Sequence, residues 1–464
     1  MPAEAARAGR CALLLGVALL LAPWAGHVDD TDAQLYQVVA RHMVEDGTWT
    51  ELRYLPQVHA QFREHLPFGL WPMALAIRLG GEPLLAPLTA LWSLGVLLLT
   101  AWLARRLLGR GEAVVAVLVL ALCESFFRFG GRPRLDPPLM LFSLLAAAPL
   151  LLPRLRARGW ALATLAGAVA ALVKGPFGVL PLLAVTAASA WEARSWRRLL
   201  LGGLAAALAL LPVAAFLAWD ALRGDGSWWV GYGQHQLLAS AAGARTDGAT
   251  AWWFPLATIA RRFWPGFPLL LAALVLRFRR GGQEAAPALR VLVLSCVLLL
   301  AALCLPSRKV WNHALVAYPL LALLAGAGAR PLLQWLARDP RRAQRARVGL
   351  CAVALLVAGA AALGAGRLVQ PTPCVASREL APFLDGLAPG TALPVVSRRP
   401  AWPLVASLAA ERHLAPAPRS ELPGPVRAGG AQWVLAEEAL IGAPPSPWRL
   451  RARARGWLLL EQGP

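Results

Sequence analysis

The chain alternates long apolar blocks with short basic segments. Two of these blocks, 84–104 and 198–219, are each about 20 residues long, the length that a helix needs to cross the ~30 Å hydrocarbon core of a bilayer. Arginine clusters separate the blocks at 105–110, 154–158, 194–198, 277–280 and 338–347. The pattern predicts an all-α polytopic membrane protein with about 11 to 13 transmembrane helices.

The arginine clusters also predict how the spans are oriented. Since Lys and Arg accumulate on the cytoplasmic side, the polar segments between the clusters are placed outside. These outer segments are 27–82, 126–137, the region of 174, 220–251, 306–311 and the chain from 368 onward. The charge rule holds at every turn if 67–79 does not cross, and this short segment with Pro72 is predicted to be an interfacial helix.

The chain is predicted to form two domains. Residues 1–367 form the transmembrane domain, in which 27–82 is a first outer loop with interfacial helices. Residues 1–26 are either a short first span or a cleaved signal peptide. Residues 368–464 are rich in Pro and polar residues with short apolar runs, which indicates a small α/β domain or tail on the periplasmic (extracytoplasmic) side.

Composition supports a membrane protein and excludes other classes. The chain is 58% hydrophobic and only 15% charged, against about a quarter charged in soluble domains. The net charge of +21 lies in short clusters between apolar blocks, so it indicates membrane orientation and argues against a nucleic-acid partner. The six cysteines form no CxxC pair, and we interpret them as small apolar packing residues.

Two acidic residues on the predicted outer face are candidates for chemistry, because charge beside a span is costly. Asp32 precedes a segment with helical spacing of apolar residues, and its simplest role is that of an N-cap. Asp136 follows Arg132 and Arg134 at the mouth of a span, where an Asp–Pro pair can simply start a helix. The sequence leaves both alternatives open.

Cationic residues on the same predicted face are the second set of candidates. Of the 46 basic residues only Lys174 and Lys309 are lysines. Lys174 precedes Gly–Pro, where the backbone should break, and a point charge there suits a phosphate, although snorkelling would also explain it. Lys309 lies beside Arg308 and His313 at the start of a span, where interfacial anchoring is the alternative.

The order and spacing of these residues resemble the GT-C polytopic glycosyltransferases, specifically the aminoarabinose-transferase and protein O-mannosyltransferase (dolichyl-phosphate-mannose-type) group. The resemblance covers about residues 10–330. The matching residues are Asp32, Tyr36, Ala40, Arg41, Met43, Gly47 and Trp49, then Glu64, Pro67 and Trp71, Arg132 and Asp136, Lys174, Gly175 and Pro176, His235, and Ser307 and Lys309. The chain departs from the family at Ala33, His65 and His313, where the family has an acid, a lysine and a tyrosine.

The resemblance implies transfer of a sugar, with inversion, from a polyprenyl-phosphate donor to a lipid, protein or glycan acceptor on the outer face. Asp32 would be the base and Asp136 a second carboxylate that positions acceptor or base. The residues implied in binding substrate and phosphate are Lys174, Lys309, Arg308, Arg132, His65 and Tyr36. Glu64 and His235 match positions able to hold a divalent metal, and no other cofactor is implied.

Two other classes of protein share some of these features. A transporter or flippase of lipid-linked or anionic substrates would also have broken helices and charge beside spans, but it predicts two similar halves, and the chain has no convincing internal repeat. A nonenzymatic scaffold would leave Asp32, Asp136 and Lys174 without a common purpose. The sequence does not identify the sugar or the acceptor.

Overall fold

The structure is a computed structural model. It describes residues 30–55, 60–152, 157–242, 248–279, 287–339, 341, 344, 377, 379–397, 402–419, 432–441, 444–454 and 456–462. The described residues divide into two units. Unit 1 contains Arg63–Gly69 and the chain between 86 and 362, and unit 2 contains the chain between 25 and 62, Leu70–Leu85 and the chain from 363 onward.

Unit 1 is helical. Its helices are α3 (Leu85–Leu107), α4 (Arg110–Ala121), α5 (Glu124–Phe129), α6 (Asp136–Leu151), α7 (Ala157–Lys174), α8 (Leu180–Glu192), α9 (Trp196–Arg223), α10 (Ala239–Ala242), α11 (Phe254–Arg262), α12 (Phe267–Arg279), α13 (Pro287–Cys304), α14 (Tyr318–Gly328) and α15 (Arg330–Ala337). α3 begins at Leu85, the last residue of the Leu70–Leu85 segment of unit 2. Short 3₁₀ turns cover Pro67–Gly69, Gly175–Val179 and Trp311–Ala317, and a π-helix covers Trp229–Leu238.

Five helical runs in the described residues are long and apolar enough to cross a membrane. They are Glu82–Leu107, Ala157–Glu192, Trp196–Leu222, Pro287–Cys304 and Trp311–Ala337, and Asp136–Leu151 is a shorter apolar helix. The predicted all-α polytopic fold is therefore confirmed. The apolar blocks before residue 27 and at 351–365 lie outside the described residues, so the number of spans stays a prediction.

Small residues allow the helices of unit 1 to pack closely. A methyl group at Gly167 in α7 would lie 3.1 Å from the Cβ atom of Ala209 in α9, so the two backbones nearly touch at this point. Every residue of α14 is buried, as expected for a helix that is apolar on all sides. α14 is therefore an inner helix of unit 1.

Unit 2 begins with two helices in the segment where the sequence predicts interfacial helices. α1 (Thr31–Glu45) ends two residues before Gly47, whose φ of 69° is left-handed. α2 (Trp71–Gly80) has ten residues, which is too short to cross a bilayer and agrees with the prediction for 67–79. A 3₁₀ turn at Glu82–Leu84 follows.

The end of the chain forms the predicted α/β fold. Its elements are α16 (Ala381–Leu384), β1 (Ala392–Val396), α17 (Trp402–Arg412), β2 (Ala415–Arg419), β3 (Gln432–Glu437), α18 (Glu438–Ile441), β4 (Arg449–Ala454) and β5 (Trp457–Gln462). The strand order is β2-β1-β3-β5-β4. β1 pairs parallel with β2 and β3, whereas β5 pairs antiparallel with β3 and β4.

One side of this sheet encloses a small apolar core. The core consists of Val396, Val434, Ala436, Trp448, Leu458 and Leu460. The same unit also contains α1, which packs against α17. The C-terminal sheet, α1 and α2 are thus parts of one unit.

Candidate active site

Asp136 is the centre of a buried cluster in unit 1. It is the first residue of α6 and is 2% exposed. Its Oδ1 accepts a bond of 2.8 Å from Nζ of Lys174, and its Oδ2 accepts a bond of 2.8 Å from Nε of Arg134. The sequence predicted that Asp136 and Lys174 share a site, and the structure brings them into direct contact.

Lys174 lies where the backbone breaks, as predicted. It is the last residue of α7, and Gly175 takes a left-handed φ of 64°. A methyl group at Gly175 would overlap the hydroxyl oxygen of Tyr232 from the π-helix. Burial raises the pKa of Tyr232 above its ordinary value, so this hydroxyl is neutral. Only glycine satisfies both constraints, and the turn aims Lys174 at Asp136.

Two buried cations bind the Asp136 carboxylate. Two cations, Arg134 and Lys174, surround one carboxylate, and their side chains are 4% and 10% exposed. A buried charge of this kind needs partners, and removing one partner leaves another charge uncompensated. Asp136 therefore holds two cations in place.

Arginines around Phe129 extend this basic region. The guanidinium carbon of Arg134 lies 4.2 Å from the centroid of the Phe129 ring, and those of Arg128 and Arg132 lie 5.8 and 5.9 Å from it. Arg132 is 8% exposed. Within the described residues, Nε of Arg128 has no hydrogen-bond partner. The three arginines break the cytoplasmic pattern of the other clusters, which is the sequence signal for this site.

An aromatic contact joins Phe129 to a distant part of the chain. The ring centroids of Phe129 and Trp311 are 5.1 Å apart, and the guanidinium of Arg262 lies 4.0 Å from the Trp311 centroid. Nη1 of Arg262 also lies 3.3 Å from Glu124. Sequence reasoning did not select Arg262 or Trp311, because contacts between such distant segments leave no local pattern.

The second predicted cationic group lies beside the turn that follows Lys174. The rings of Phe177 and His313 are 4.9 Å apart. Lys309 is buried, its backbone pairs with Ala249, and its Nζ is 3.5 Å from the carbonyl oxygen of Thr250. Arg308, Lys309, Phe177 and His313 line a small pocket of about 50 Å³.

The segment that contains Glu64 and His65 lies near the end of α7. A methyl group at Gly69 would be 3.0 Å from the carbonyl oxygen of Val173, the residue before Lys174. Glu64 and His65 are half-buried, and the neighbouring Arg63 donates bonds of 3.1 Å to Oγ of Ser227. The segment that carries the predicted substrate residue His65 therefore approaches the end of α7 at Gly69.

The predicted metal ligands do not form a complete cluster. His235 is exposed on the π-helix, and Glu64 lies in the segment before Pro67. In the described parts of the chain, no group of three or more His, Cys, Asp or Glu side chains could hold a metal ion. A role for Glu64 and His235 in metal binding stays a prediction, with no third ligand among these residue types.

Asp32 and Tyr36 lie in unit 2, on the first two turns of α1. The N-cap is Asp30, whose Oδ1 accepts a bond of 3.2 Å from the backbone nitrogen of Ala33. The interpretation of Asp32 as the cap is therefore wrong, because the extended backbone at Asp30 starts the helix two residues earlier. Asp32 is half-buried and Tyr36 is buried, and their roles stay predictions.

Known proteins resemble this chain in sequence and in fold. Residues 64–219 match the family model of dolichyl-phosphate-mannose-protein mannosyltransferase. An undecaprenyl phosphate-α-4-amino-4-deoxy-L-arabinose arabinosyl transferase of Pseudomonas paraeruginosa (strain DSM 24068 / PA7) is 28% identical over 353 residues, which are 73% of this chain and 62% of that protein. The chain spans between 44% and 62% of the length of the curated relatives it matches.

Two solved structures share the fold. ArnT from Cupriavidus metallidurans bound to undecaprenyl phosphate has a TM-score of 0.68 at 17% identity and covers 97% of both chains. The oligosaccharyltransferase of Archaeoglobus fulgidus in the apo form has a TM-score of 0.57 at 15% identity, covering 90% of this chain and 64% of that one.

The chain therefore shares the polytopic helical fold of these transferases, and in this fold a buried carboxylate meets two cations where helices begin and end. The predicted resemblance to the aminoarabinose-transferase and protein O-mannosyltransferase group is confirmed.

Proposed function

We propose that the chain is a membrane glycosyltransferase that moves a sugar from a polyprenyl-phosphate donor to a lipid, protein or glycan acceptor. The transfer takes place on the periplasmic side of a bacterial inner membrane. The arabinosyl transferases among its relatives support an undecaprenyl-phosphate donor, and the mannosyltransferase family match supports the same class of reaction.

The observation that carries this proposal is the buried cluster in which Lys174 and Arg134 are both bound to Asp136. When a sugar leaves a polyprenyl phosphate, negative charge grows on the phosphate oxygen as the glycosidic bond breaks. Cations that are already fixed in a buried site stabilise this charge without reorganising. Lys174 is the first phosphate ligand that we assign, and Arg134, which the sequence had not selected, is the second.

The acceptor step needs a base. We assign this role to Asp32. It takes the proton of the acceptor hydroxyl while the hydroxyl oxygen attacks the anomeric carbon from the face opposite the phosphate. The bond from that carbon to the phosphate oxygen breaks, the electron pair leaves with the polyprenyl phosphate, and the sugar inverts. Asp136 acts as the counter-ion that positions Lys174, since both of its oxygens accept bonds from cations.

Further residues have assigned roles around this centre. Arg132, Arg308 and Lys309 enlarge the basic region that attracts the phosphate, and His65 and Tyr36 contact substrate. Glu64 and His235 are the assigned positions for a divalent metal that would draw charge from the phosphate.

The test is an assay of transfer by the purified full-length protein. The protein is incubated with undecaprenyl-phosphate-linked 4-amino-4-deoxy-L-arabinose and an envelope extract, and release of undecaprenyl phosphate is measured. We expect Lys174→Met and Asp32→Asn each to reduce release by about a hundredfold or more, which is typical for loss of a charge-stabilising group or a general base. Arg106→Gln, an exposed position in the predicted cytoplasmic set, is the control and should have no effect.

Two outcomes would contradict the proposal. Unchanged release by Asp32→Asn would remove the assigned base. Movement of the intact donor across proteoliposomes without cleavage of its sugar–phosphate bond would favour the flippase instead. Nuclear magnetic resonance of the product would report whether the anomeric centre inverts.

A further inference from the structure

A second candidate site lies at the opposite end of α7 from Lys174. Here α7 and α9 separate and leave a cavity of about 660 Å³. Its lining includes Trp160, Arg197, Arg198, Leu201, Leu204 and Leu208. α7 has 18 residues, so this cavity and the Asp136 cluster are separated by roughly 25 Å along the helix.

The geometry of the two helices explains the shape of this cavity. α7 and α9 are in close contact at Gly167 and Ala209, and the cavity ends next to this contact, at Thr164 and Leu208. From Arg197 to Leu208 the groove follows α9 for roughly 16 Å. This depth is about half of the ~30 Å hydrocarbon core, which is the thickness of one leaflet.

The mouth of the groove is basic, whereas its depth is apolar. Arg197 and Arg198 lie at the mouth, and Leu201, Leu204 and Leu208 continue along α9. In the described part of the chain neither arginine forms a side-chain ion pair, and the nearby Glu192 is bound by Arg290. The two positive charges are therefore available to an anion from outside the chain.

Exposed tryptophans place this mouth at the level of the lipid headgroups. Trp191 and Trp196 are 79% and 74% exposed and flank the start of α9. Tryptophan prefers the membrane–water interface, where its ring is in the apolar region and its N–H in the polar one. The arginine cluster 194–198 beside these tryptophans is predicted to face the cytoplasm. Anionic lipids concentrate in the cytoplasmic leaflet, and basic pockets between helices bind their headgroups.

We propose that this groove binds one anionic phospholipid of the cytoplasmic leaflet. Its phosphate lies on Arg197 and Arg198, and one acyl chain lies in the groove between α7 and α9 down to Leu208. The charge of the mouth, the length of the groove and the interfacial tryptophans select a lipid with a negative headgroup over a zwitterionic one. The site is separate from the donor site and does not depend on the proposed transfer.

The test is native mass spectrometry of the full-length protein in detergent with added phosphatidylglycerol or phosphatidylcholine. We expect one phosphatidylglycerol to bind in preference to phosphatidylcholine. Arg197→Gln/Arg198→Gln should weaken the affinity for phosphatidylglycerol about tenfold or more and leave the binding of phosphatidylcholine unchanged. The matched control is Arg105→Gln/Arg106→Gln, an exposed arginine pair on the same predicted side, which should change nothing. Both pairs are exposed or half-exposed, and thermal unfolding of each variant checks that it is folded.

A second pair of variants tests the groove independently of charge. Ala161→Phe fills the lining of the groove and should prevent binding, whereas Leu162→Phe, at the next position and outside the lining, should not. Equal binding of the two lipids, or equal losses in both arginine pairs, would overturn the proposal. A helix of a second copy in the groove would also overturn it. In that case the protein would be a dimer, and Ala161→Phe would dissociate the dimer without loss of bound lipid.

Discussion

At Gly175 a single residue combines two requirements, a left-handed backbone and room for the Tyr232 hydroxyl. We expect Gly175→Ala to reduce transfer by about tenfold or more, because Lys174 would move relative to Asp136 and small misplacements at a site are costly. Removing the hydroxyl in Gly175→Ala/Tyr232→Phe should restore part of the rate.

The control for this prediction is Gly203→Ala in α9. A methyl group there meets nothing within 4 Å, so this variant should transfer normally. Equal rates for Gly175→Ala and Gly203→Ala would show that the turn does not position Lys174.

His42 gives α1 a dependence on pH. Burial, assisted by the charge of Arg53, lowers the pKa of His42 below its ordinary value of 6.5, and its Nδ1 lies 3.3 Å from the Arg53 carbonyl. The unfolded chain therefore binds a proton more readily than the folded one. The contribution of neutral His42 to the stability of the fold is complete above pH 6.5. It is lost as the pH falls through the pKa of His42 in the folded protein.

Thermal unfolding between pH 7.5 and 5 measures this effect. We expect the midpoint to fall with pH, and His42→Gln to fall less steeply than the wild type. His235→Gln, which replaces an exposed histidine, should follow the wild type. Parallel curves for all three proteins would contradict this assignment.

At the scale of elements, α1 is fixed to α17 through one side chain. The guanidinium of Arg41 donates bonds of 2.8 and 3.4 Å to the carbonyl oxygens of Ala409 and Ala410, and one of 3.0 Å to Glu82. Gln37 also donates to Glu82. Nine residues separate Asp32 from Arg41, which places them on opposite faces of the helix. Arg41 therefore orients the face of α1 that carries Asp32.

We expect Arg41→Ala to destabilise the protein by about 2–3 kcal/mol, the range for several charged hydrogen bonds. Arg41→Lys should not restore it, because an ammonium cannot reach two carbonyls and a carboxylate in the same geometry. Arg53→Ala, which breaks an ion pair whose arginine is 42% exposed, should cost less. Hydrogen exchange in α1 distinguishes these variants, and equal protection would contradict the role of Arg41.

The sequence predicted the helices and turns of the site better than the contacts between their side chains. α1 follows from its helical spacing and Gly47, and the break at Lys174 follows from Gly175–Pro176. A cap was one of two roles left open for Asp32, because it precedes the helical spacing, and only the extended backbone at Asp30 shows that the helix starts earlier. The contact between Phe129 and Trp311 depends on helix packing, which no local pattern records.

At the scale of the molecule, the contacts in unit 1 follow the predicted orientation. Segments predicted outside contact one another, as at Asp136 and Lys174 or Phe129 and Trp311. At the other helix ends, Arg330 bonds to Glu112 and Arg290 to Glu192, and both glutamates lie within a few residues of the clusters 105–110 and 194–198 that are predicted inside. These contacts agree with the predicted grouping of the helix ends, and the side of the membrane that each group faces stays a prediction.

This orientation can be measured with a membrane-impermeant maleimide on spheroplasts. In a variant without the six native cysteines, we expect Asp225→Cys to be labelled from outside and Arg106→Cys only after the membrane is opened. Both positions are exposed, so access to the side chain is not limiting. Labelling of both from outside would reject the orientation.

The rarity of lysine in this chain has a consequence for chemical labelling. Apart from the chain terminus, the only primary amines are those of Lys174 and Lys309, and both are largely shielded in the fold. An amine-reactive reagent thus has very few targets, and both of them lie in or beside the candidate active site. Occupancy of that site can be followed by the extent of acylation at Lys174 and Lys309, read by peptide mass spectrometry, without a radiolabel and without replacing a residue.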